Sequence, residues 1–225
     1  MSLIFDKLEQ HSKDFQQILE SYLEKSDETH NFPWDNFIFE GPGVRRAHLD
    51  VVDKREERKL YMMHLCIFPN RHNPGPIYGF DLIAGPNKVT GAFHDISPAS
   101  HRNHILCDMF HDHIKDVAPQ WSKERELPDW AKQIFSGDMI AAGNVRDIEE
   151  LDLILNFSKE SLRYYLDYFV NKSSVFDEDF VEEQNRYCKF QKQNPHTPKV
   201  MESLGYDPEL VRDFIDNCLF PEVVD

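Results

Sequence analysis

The sequence predicts an α/β protein, a three-layer α/β/α sandwich around a central and mainly antiparallel sheet. From residue 36 to about residue 97, apolar residues recur at alternate positions between turn-forming clusters, which is the pattern of β-strands. The strands at 59–69 and 76–84 are apolar on both faces, so helices are expected on both sides of the sheet. Helical patterns precede and follow this region. We predict a single domain spanning residues 1–225.

The predicted elements follow one another along the chain in a simple order. The opening stretch, FDKLEQHSKDFQQILESYL, spaces its apolar residues as an amphipathic helix with one buried face. Strands are predicted at 36–41, 44–53, 59–69, 76–84 and 88–96. Helices are predicted at 102–116 and 147–170, with the strand MIAAGNV between them. Two or three more helices follow residue 176, and Pro195 and Pro198 are predicted to mark a break among them.

The composition argues against several classes of protein. No apolar run approaches the ~20 residues that a membrane helix needs, and the N-terminus lacks a signal-peptide pattern. We therefore expect a soluble, cytoplasmic protein with no membrane partner, and a monomer as the simplest assembly. The net charge of −15 disfavours a nucleic-acid partner, because phosphate binding requires a basic face.

The sequence carries no motif for a bound cofactor. Its four cysteines lie far apart without a CxxC pair, which argues against a disulfide framework, a zinc site or an iron–sulfur cluster. Neither a GxGxxG nor a GxxxxGK[ST] motif occurs, and GPGV at 41–44 is better explained as a turn. Any redox chemistry would need electrons from outside the chain.

One apolar strand contains a carboxylate. Residues 77–83 have the pattern of a strand buried on both faces, yet Asp81 stands in its middle. Burying an unpaired carboxylate costs several kcal/mol, so the group must be paired, protonated or put to use.

Hairpin arithmetic predicts which residues lie beside Asp81. If the turn NRHNPGP (70–76) is centred between His72 and Asn73, His64 lies opposite Asp81. The turn DKREER (53–58) places either His48 or Asp50 opposite His64, depending on where the turn is centred. His48 and Asp50 differ by two positions and so share a face in both cases. The four residues are therefore predicted to converge on one patch across three strands.

This patch allows three interpretations. Burial raises the pKa of a carboxylate while a nearby imidazolium lowers it, so the group suits proton transfer, and Gly79 leaves room for a flat molecule. A second interpretation is a buried His–Asp pair that only fixes the sheet. The third is an iron site of two histidines and one carboxylate, His48-x-Asp50 with His64, although the second histidine of such sites normally comes later in the chain.

A second group of histidines lies further along the chain. His101, His104 and His111 fall at helical spacing, and His113 follows closely. They are candidates for a zinc site, but no cysteine or acidic base is suitably placed. A solvated polar helix face is the simpler interpretation.

With these residues in place, the sequence resembles the ferredoxin-dependent bilin reductases, above all the phycocyanobilin-forming branch and its viral, phycoerythrobilin-forming relatives. The match runs from about Arg45 to the end and is weaker over the first helix. Its order and spacing carry the resemblance. The matching segments are AHLD (47–50), MHLCIFP (63–69), PIYGFDLIAGP (76–86), RELPDW (125–130), RYCKFQKQN (186–194) and CLFPE (218–222).

The resemblance implies an α/β/α sandwich with an antiparallel sheet. It also implies the reduction of biliverdin, an open-chain tetrapyrrole, by single electrons from the 2Fe–2S cluster of reduced ferredoxin. In this family substrate radicals are intermediates, and no flavin or metal is bound. The protein would then position the bilin and deliver protons. A viral or cyanobacterial source is implied as well, and a virus-encoded protein would act in the host cytoplasm.

The family's functional residues match individual positions here. Asp81 matches the central aspartate that protonates the bilin, and His64 matches the histidine paired with it. His48 matches the histidine that extends the hydrogen-bond network. Arg125 matches an arginine that binds a propionate, and Thr90 a small hydroxyl residue nearby.

Two positions depart from the phycocyanobilin-forming enzymes. Asp50 stands where they carry a glutamate that helps to protonate the D-ring vinyl group, and an aspartate reaches roughly 1.3 Å less far. As in the viral relatives, this exchange predicts phycoerythrobilin, formed by a four-electron reduction at the C15 methine bridge and the A-ring diene. Phycocyanobilin, or a bilin-binding protein without catalysis, are the alternatives. Asn194 falls where some relatives carry an amide or carboxylate facing the substrate, and Pro195 follows where an acid is frequent.

Ferredoxin is strongly acidic, as is this chain, so its binding needs a local basic patch. Four residues of the C-terminal third are candidates, unless they are simply a solvated helix surface. They are Arg186, Lys189, Lys192 and Lys199.

Overall fold

One antiparallel sheet organises the chain. The computed structural model describes residues 2–100, 104–117, 123–172 and 176–224. Within these residues, seven strands lie side by side in the order in which they occur in the sequence, and every neighbouring pair is antiparallel. The strands are β1 (Glu24–Lys25), β2 (Asp35–Gly41), β3 (Val44–Lys54), β4 (Leu60–Pro69), β5 (Ile77–Gly85), β6 (Lys88–Ser97) and β7 (Ile140–Ala142).

Helices cover the sheet and connect its edges. They are α1 (Leu3–Tyr22), α2 (Arg55–Arg58), α3 (Ile105–Ile114), α4 (Ile148–Asn171), α5 (Val181–Gln191), α6 (His196–Ser203) and α7 (Pro208–Asp213). A π-helical turn, Phe214–Leu219, continues α7, and Ala131–Gln133 form a short 3-10 helix. The side chain of Asp147 caps α4 by accepting a hydrogen bond from the backbone N–H of Glu149 at 2.7 Å.

The two faces of the sheet bury two separate apolar clusters. On one face, α1, α3 and α4 pack against residues such as Leu65 and Phe80. On the other face, α5, α6, α7 and the π-helical turn pack against Val52, Cys66 and Phe68. Alternation along the strands assigns neighbouring residues to opposite faces. The predicted three-layer α/β/α sandwich is confirmed. In the described part of the chain, no helix is both long and apolar enough to cross a membrane.

Several predicted boundaries differ from the structure for local reasons. Strand β1 was not predicted, because two exposed residues carry no alternation. Of the predicted helix at 102–116, residues 102 and 103 lie outside the described residues. Pro195 does separate α5 from α6, but Pro198 lies in the first turn of α6 instead of breaking it. Proline is tolerated there because the first backbone N–H groups of a helix have no partner within it.

The hairpins show the predicted register. His64 pairs with Asp81, as a turn centred between His72 and Asn73 requires. At the other hairpin the structure selects Asp50 as the partner of His64, and His48 pairs with Cys66. The reason is the connection, which holds the four-residue helix α2 and then Lys59 in a left-handed conformation (φ 54°).

Two histidines are buried on the face packed by α1 and α4. The Nε2 atom of His11 lies 3.2 Å from Ser158 Oγ, and His94 donates from Nδ1 to the carbonyl oxygen of Gly79 at 2.7 Å. Burial lowers the pKa of His11 to about 3 and that of His94 to about 4. Both imidazoles are therefore neutral in the folded protein near neutral pH.

Acid should destabilise the fold through these histidines. A folded-state pKa below the unfolded value gives a stabilising contribution that is complete above pH 6.5 and is lost as the pH falls below it. Each buried histidine should remove about 2 kcal/mol from the free energy of unfolding between pH 7 and pH 5. Urea denaturation at pH 7 and pH 5 should show that the free energy of unfolding of His11→Gln falls by about 2 kcal/mol less than that of the unaltered protein. The same change at exposed His196 is the control, and an unchanged loss in His11→Gln would contradict the prediction.

Candidate active site

A cavity of about 330 Å³ lies between the sheet and the layer formed by α5, α6 and the π-helical turn. This volume is within the range of small-molecule binding sites. Its wall is mainly apolar and aromatic, with polar groups from the strands and from the segments that cover them. The apolar wall includes Met62, Ile83, Phe93, Trp130, Phe135, Met139, Phe214 and Phe220.

Three of the four residues predicted to converge meet at this cavity. Asp50, His64 and Asp81 occupy consecutive positions across β3, β4 and β5, and all three line the cavity. The Oδ1 atom of Asp50 lies 3.3 Å from Nδ1 of His64, close enough for an ion pair when the imidazole is protonated. Among the described residues neither atom has a hydrogen-bond partner of good geometry. Thus one imidazole stands between two carboxylates.

Asp81 is the residue best suited to donate a proton. Its carboxylate is partly accessible from the cavity, and no described residue donates a hydrogen bond to it. Burial among apolar walls raises its pKa to about 6, with His64 acting to lower it and Asp50 to raise it. A general acid is most effective when its pKa lies near the working pH. The carboxylate of Asp81 thus accepts no hydrogen bond from a described residue and faces a cavity, where it can be put to use.

Asp50 is more deeply buried than Asp81, with 2% of its surface exposed. Burial raises its pKa, and the contact with His64 opposes that shift. Because two carboxylates adjoin one imidazole, protonation of any one of these groups alters the other two. This arrangement can pass a proton between the interior and a molecule in the cavity.

His48 shares the face of Asp50 but not its cavity. Its Nε2 atom lies 2.9 Å from Oδ1 of Asn36 and 3.6 Å from Sγ of Cys218, and its side chain is fully buried. Burial holds the pKa of His48 well below its usual value. His48 therefore contacts neither His64 nor Asp50 in the way an iron triad requires. Among the described residues no three histidine, cysteine or acidic side chains are grouped as metal ligands.

The second group of histidines is dispersed among separate partners. His104 caps α3 by accepting a hydrogen bond from the backbone N–H of Leu106. His111 and His113 pair with acidic residues on other elements, Asp138 and Glu160. His101 lies outside the described residues. The described histidines of this group do not converge on a zinc site.

Arg125 and Thr90 adjoin each other at the solvent-exposed edge of the cavity. Arg125 donates from Nη2 to the carbonyl oxygen of Thr90 at 2.5 Å, and both residues line the cavity. The backbone N–H of Arg125 donates to Ala141 O at 2.6 Å. Gly143 lies beneath its side chain, where an added Cβ would be only 2.5 Å from Arg125 Nε. These contacts hold an exposed guanidinium in one place, as recognition of an anionic group requires.

Asn194 lines the opposite wall, in the turn between α5 and α6. Its Oδ1 atom accepts a hydrogen bond from the backbone N–H of His196 at 2.9 Å, and its Nδ2 atom donates to Thr197 Oγ1 at 3.3 Å. Pro195 lies within this turn, directly before the start of α6. Asn194 thus shapes the turn as well as facing the cavity.

The cavity also contains polar residues that the sequence analysis missed. Asp95, opposite Gly79 on β6, accepts hydrogen bonds from Ser97 Oγ at 2.6 Å and from both the backbone N–H and the hydroxyl of Ser136. Burial raises its pKa. Its position within the apolar strand AFHDIS is the same signal that identified Asp81, and it could have been found in this way.

Tyr187 lies beside Gly79, where the sequence predicted room for a ligand. An added Cβ at Gly79 would be 3.2 Å from the Tyr187 hydroxyl, so the absent side chain makes room for a tyrosine from α5. Gly79 itself lines the cavity, and the approach of a flat molecule there stays a prediction. Gln191, one turn further along α5, donates to the same hydroxyl at 2.7 Å.

The predicted basic patch is largely engaged in contacts within the chain. Lys189 and Lys192 both pair with Glu222, at 3.6 and 2.9 Å. Arg186 donates to the carbonyl oxygen of Gln133. Lys199 lies on α6, exposed to solvent. Three of the four basic residues thus belong to α5 or follow it directly, where nearby acids offset part of their charge.

Comparison with known proteins identifies the family. The family described as "Ferredoxin-dependent bilin reductase" matches residues 4–221, which includes the first helix. Phycocyanobilin:ferredoxin oxidoreductase from Prochlorococcus marinus (strain MIT 9515) is 29% identical over 193 residues, covering 83% of this chain and 76% of that protein. The enzyme of the same name from Trichodesmium erythraeum (strain IMS101) is 25% identical, covering 88% and 80%.

Two solved structures share the fold. The structure of PcyX is 33% identical in sequence, with a TM-score of 0.70 over 96% of this chain and 99% of that chain. Phytochromobilin synthase from tomato, in complex with biliverdin, has a TM-score of 0.78 at 16% identity, over 93% and 82% of the two chains. The family match over almost the whole chain, together with this fold, shows that the protein belongs to the ferredoxin-dependent bilin reductases, a family of oxidoreductases.

Proposed function

We propose that this protein reduces biliverdin IXα to phycoerythrobilin through 15,16-dihydrobiliverdin. The reaction takes four electrons, delivered singly by the 2Fe–2S cluster of ferredoxin, and four protons, and it passes through substrate radicals. The observation that carries the proposal is Asp81, a carboxylate to which no described residue donates a hydrogen bond and whose pKa is raised to about 6, beside His64 in a largely apolar cavity. No flavin or metal is proposed, because electrons come from the partner protein.

Asp81 is proposed to donate protons to the bilin, and His64 to replace them. The raised pKa of Asp81 makes its protonated form available near neutral pH. His64 adjoins both carboxylates by register, so it can pass a proton from Asp50 to Asp81. His48, neutral and buried, is proposed to support this group from behind through Asn36.

Asp50 is the residue that favours phycoerythrobilin over phycocyanobilin. It lines the cavity beside His64 and is roughly 1.3 Å shorter than a glutamate would be. A proton reaches carbon only from a donor at hydrogen-bond distance, so the shorter side chain leaves the D-ring vinyl group unreduced. Relatives that are 25–29% identical carry the name phycocyanobilin:ferredoxin oxidoreductase, which makes phycocyanobilin the alternative product.

A bilin-binding role without catalysis is the second alternative. A carrier needs a cavity and an anchor for the propionates but no proton donor. The retention of an unsatisfied Asp81 beside His64 argues for catalysis, because burying such a carboxylate destabilises the fold.

An anaerobic assay with biliverdin and photoreduced ferredoxin tests the proposal. Absorption spectra and product chromatography should show phycoerythrobilin, with a blue-shifted intermediate on the way. Phycocyanobilin as the product would refute the proposed regiospecificity. Bilin binding without reduction would favour the carrier.

Gly143 should be required for binding the substrate's propionate through Arg125. Gly143→Ala should displace the guanidinium, because the new Cβ would lie 2.5 Å from Arg125 Nε. We expect roughly tenfold weaker binding of biliverdin, the loss of one charge-assisted contact, measured by absorption titration.

Two controls make this prediction specific. Gly137→Ala adds the same methyl group where no atom lies within 4 Å, and it should leave the affinity unchanged. Biliverdin dimethyl ester has no propionate charge, so Gly143→Ala should not weaken its binding. An equal loss for the ester and the acid would show that the substitution acts elsewhere.

A further inference from the structure

Residues 219–223, the 219–223 segment, include the part of the cavity wall that lies against His64. Leu219 and Phe220 are buried and line the cavity. The rings of Phe220 and His64 are 5.5 Å apart at an angle of 83°, an edge-to-face contact. The ring of Tyr187 lies on another side of Phe220, at 6.4 Å. Phe220 therefore restricts both the orientation of His64 and the access of water to it.

Leu219 ends the π-helical turn, and the rest of the 219–223 segment has no regular structure. Phe220 leaves the π-helical turn with φ −130° and ψ 59°, and its backbone N–H donates to Ile215 O at 3.0 Å. Residues 221–224 belong to no helix or strand. Single π-helical turns are rare and frequently occur at functional sites. The place of Phe220 consequently depends on what holds the residues after it.

Helix α5 holds those residues. The side chain of Asn185 exchanges two hydrogen bonds with the backbone of Val223, donating from Nδ2 to O at 2.8 Å and accepting at Oδ1 from N at 2.9 Å. One residue earlier, Glu222 accepts from Lys192 Nζ at 2.9 Å. Asn185 itself is not among the residues that line the cavity.

The same helix supplies two residues of the cavity wall. Tyr187 and Gln191 face the cavity from α5, and they are joined by a hydrogen bond of 2.7 Å. The helix is thus a rigid link, with the cavity on one side and the 219–223 segment on another. On the side of the 219–223 segment, Phe220 connects the Asn185–Val223 pair to the cavity and to His64.

We propose that Asn185 is a positioning residue for the active site, because its clamp on Val223 holds the Phe220 ring against His64 and keeps water from the group that delivers protons. This inference rests on the proposed function. It assigns a role in proton delivery to a side chain that does not touch the substrate.

The consequence concerns proton affinity inside the cavity. Water admitted beside His64 would relieve the burial that raises the pKa of Asp81. Other ionisable groups also face the cavity and stay in place in this argument. They are Asp50, His94, Asp95, Tyr187, Arg125, Glu126 and His196.

Asn185→Ala is the test, with kcat/KM measured against pH in the ferredoxin-coupled assay. We expect about a tenfold fall in kcat/KM, the order of loss that slight misplacement causes, and a decline of activity that begins at lower pH than in the unaltered protein. Asn185→Asp keeps the acceptor for the Val223 N–H, so its kcat/KM should lie between that of the unaltered protein and that of Asn185→Ala. Asn217→Ala removes an exposed hydrogen bond to Asp213 and should change neither quantity.

A second readout separates this inference from the proposed function. The absorption of bound biliverdin, titrated with pH without any electron donor, should shift in Asn185→Ala and not in Asn217→Ala. If the unaltered protein reduces no biliverdin, the proposed function fails, while this titration still tests the clamp. An unaltered rate, pH profile and spectrum in Asn185→Ala would overturn the inference. Should that variant not fold, Phe220→Leu keeps the Asn185 clamp and must show the same shifts.

Discussion

Replacing Asp81 by asparagine should lower kcat/KM for the reduction of biliverdin by about 100-fold or more, while biliverdin still binds. Asparagine keeps the size of the side chain and removes the proton, and a positioned general acid contributes about 10²–10⁴ in rate. Electron transfer from ferredoxin would continue, so a long-lived substrate radical should be visible by electron paramagnetic resonance. The assay combines anaerobic kinetics with an absorption titration of bilin binding. Full activity of Asp81→Asn would refute the assignment of Asp81.

The dependence of kcat/KM on pH tests the same role of Asp81. A proton donor acts in its protonated form, so kcat/KM should decline as the pH rises above about 6, the value to which burial raises the pKa of Asp81. This decline should be absent from the residual activity of Asp81→Asn. A profile that is the same in both proteins would assign the decline to another group.

Stability provides the control for folding. The folded pKa of Asp81 lies above its unfolded value, so the unaltered protein gains stability as the pH falls from about 6 towards 4. Above pH 6 the buried charge destabilises the fold, and Asp81→Asn should be more stable at pH 8 by about 1–3 kcal/mol. A variant that is more stable and much less active would show that the carboxylate is kept for chemistry.

Extending Asp50 by one methylene should change the product. In Asp50→Glu the carboxylate would reach roughly 1.3 Å further into the cavity, and we expect phycocyanobilin to appear beside or in place of phycoerythrobilin. Chromatography of the products from anaerobic turnover measures the ratio. The extra methylene enters a site that is 2% exposed, so a loss of about 1–3 kcal/mol in the free energy of unfolding is also expected.

The matched control for Asp50→Glu is the same change at Asp95. Asp95 is also a buried aspartate that lines the cavity, but its carboxylate is held by Ser97 and Ser136. Asp95→Glu should reduce the yield without changing the product. If phycoerythrobilin persists in Asp50→Glu, the shape of the pocket and the pose of the substrate decide regiospecificity, and the reach of Asp50 does not.

Ion pairs within the chain limit how the basic patch can bind a partner. Lys189 and Lys192 share Glu222, and Glu222 belongs to the 219–223 segment. A partner that engages these lysines would compete with a contact that holds the segment.

The sequence by itself determined the sheet and the pair at its centre. Alternation of apolar residues identified β2 to β6, and a turn centred between His72 and Asn73 placed His64 opposite Asp81, as found. Such pairing is predictable because a hairpin joins neighbours in sequence, and its register depends only on the turn. Where the connection held a helical turn, as in α2, the sequence left His48 and Asp50 as alternatives.

Only the tertiary structure decided the rest of the site. The hydroxyl of Tyr187 lies beside Gly79, and the ring of Phe220 packs on His64. In each pair the two residues are more than 100 positions apart along the chain. The side chain of His48 contacts Asn36 and does not line the cavity. Contacts between distant segments depend on how whole helices pack on the sheet, and no local spacing encodes that packing. The proposed proton donor, Asp81, could therefore be identified from the sequence, whereas the walls that raise its pKa could not.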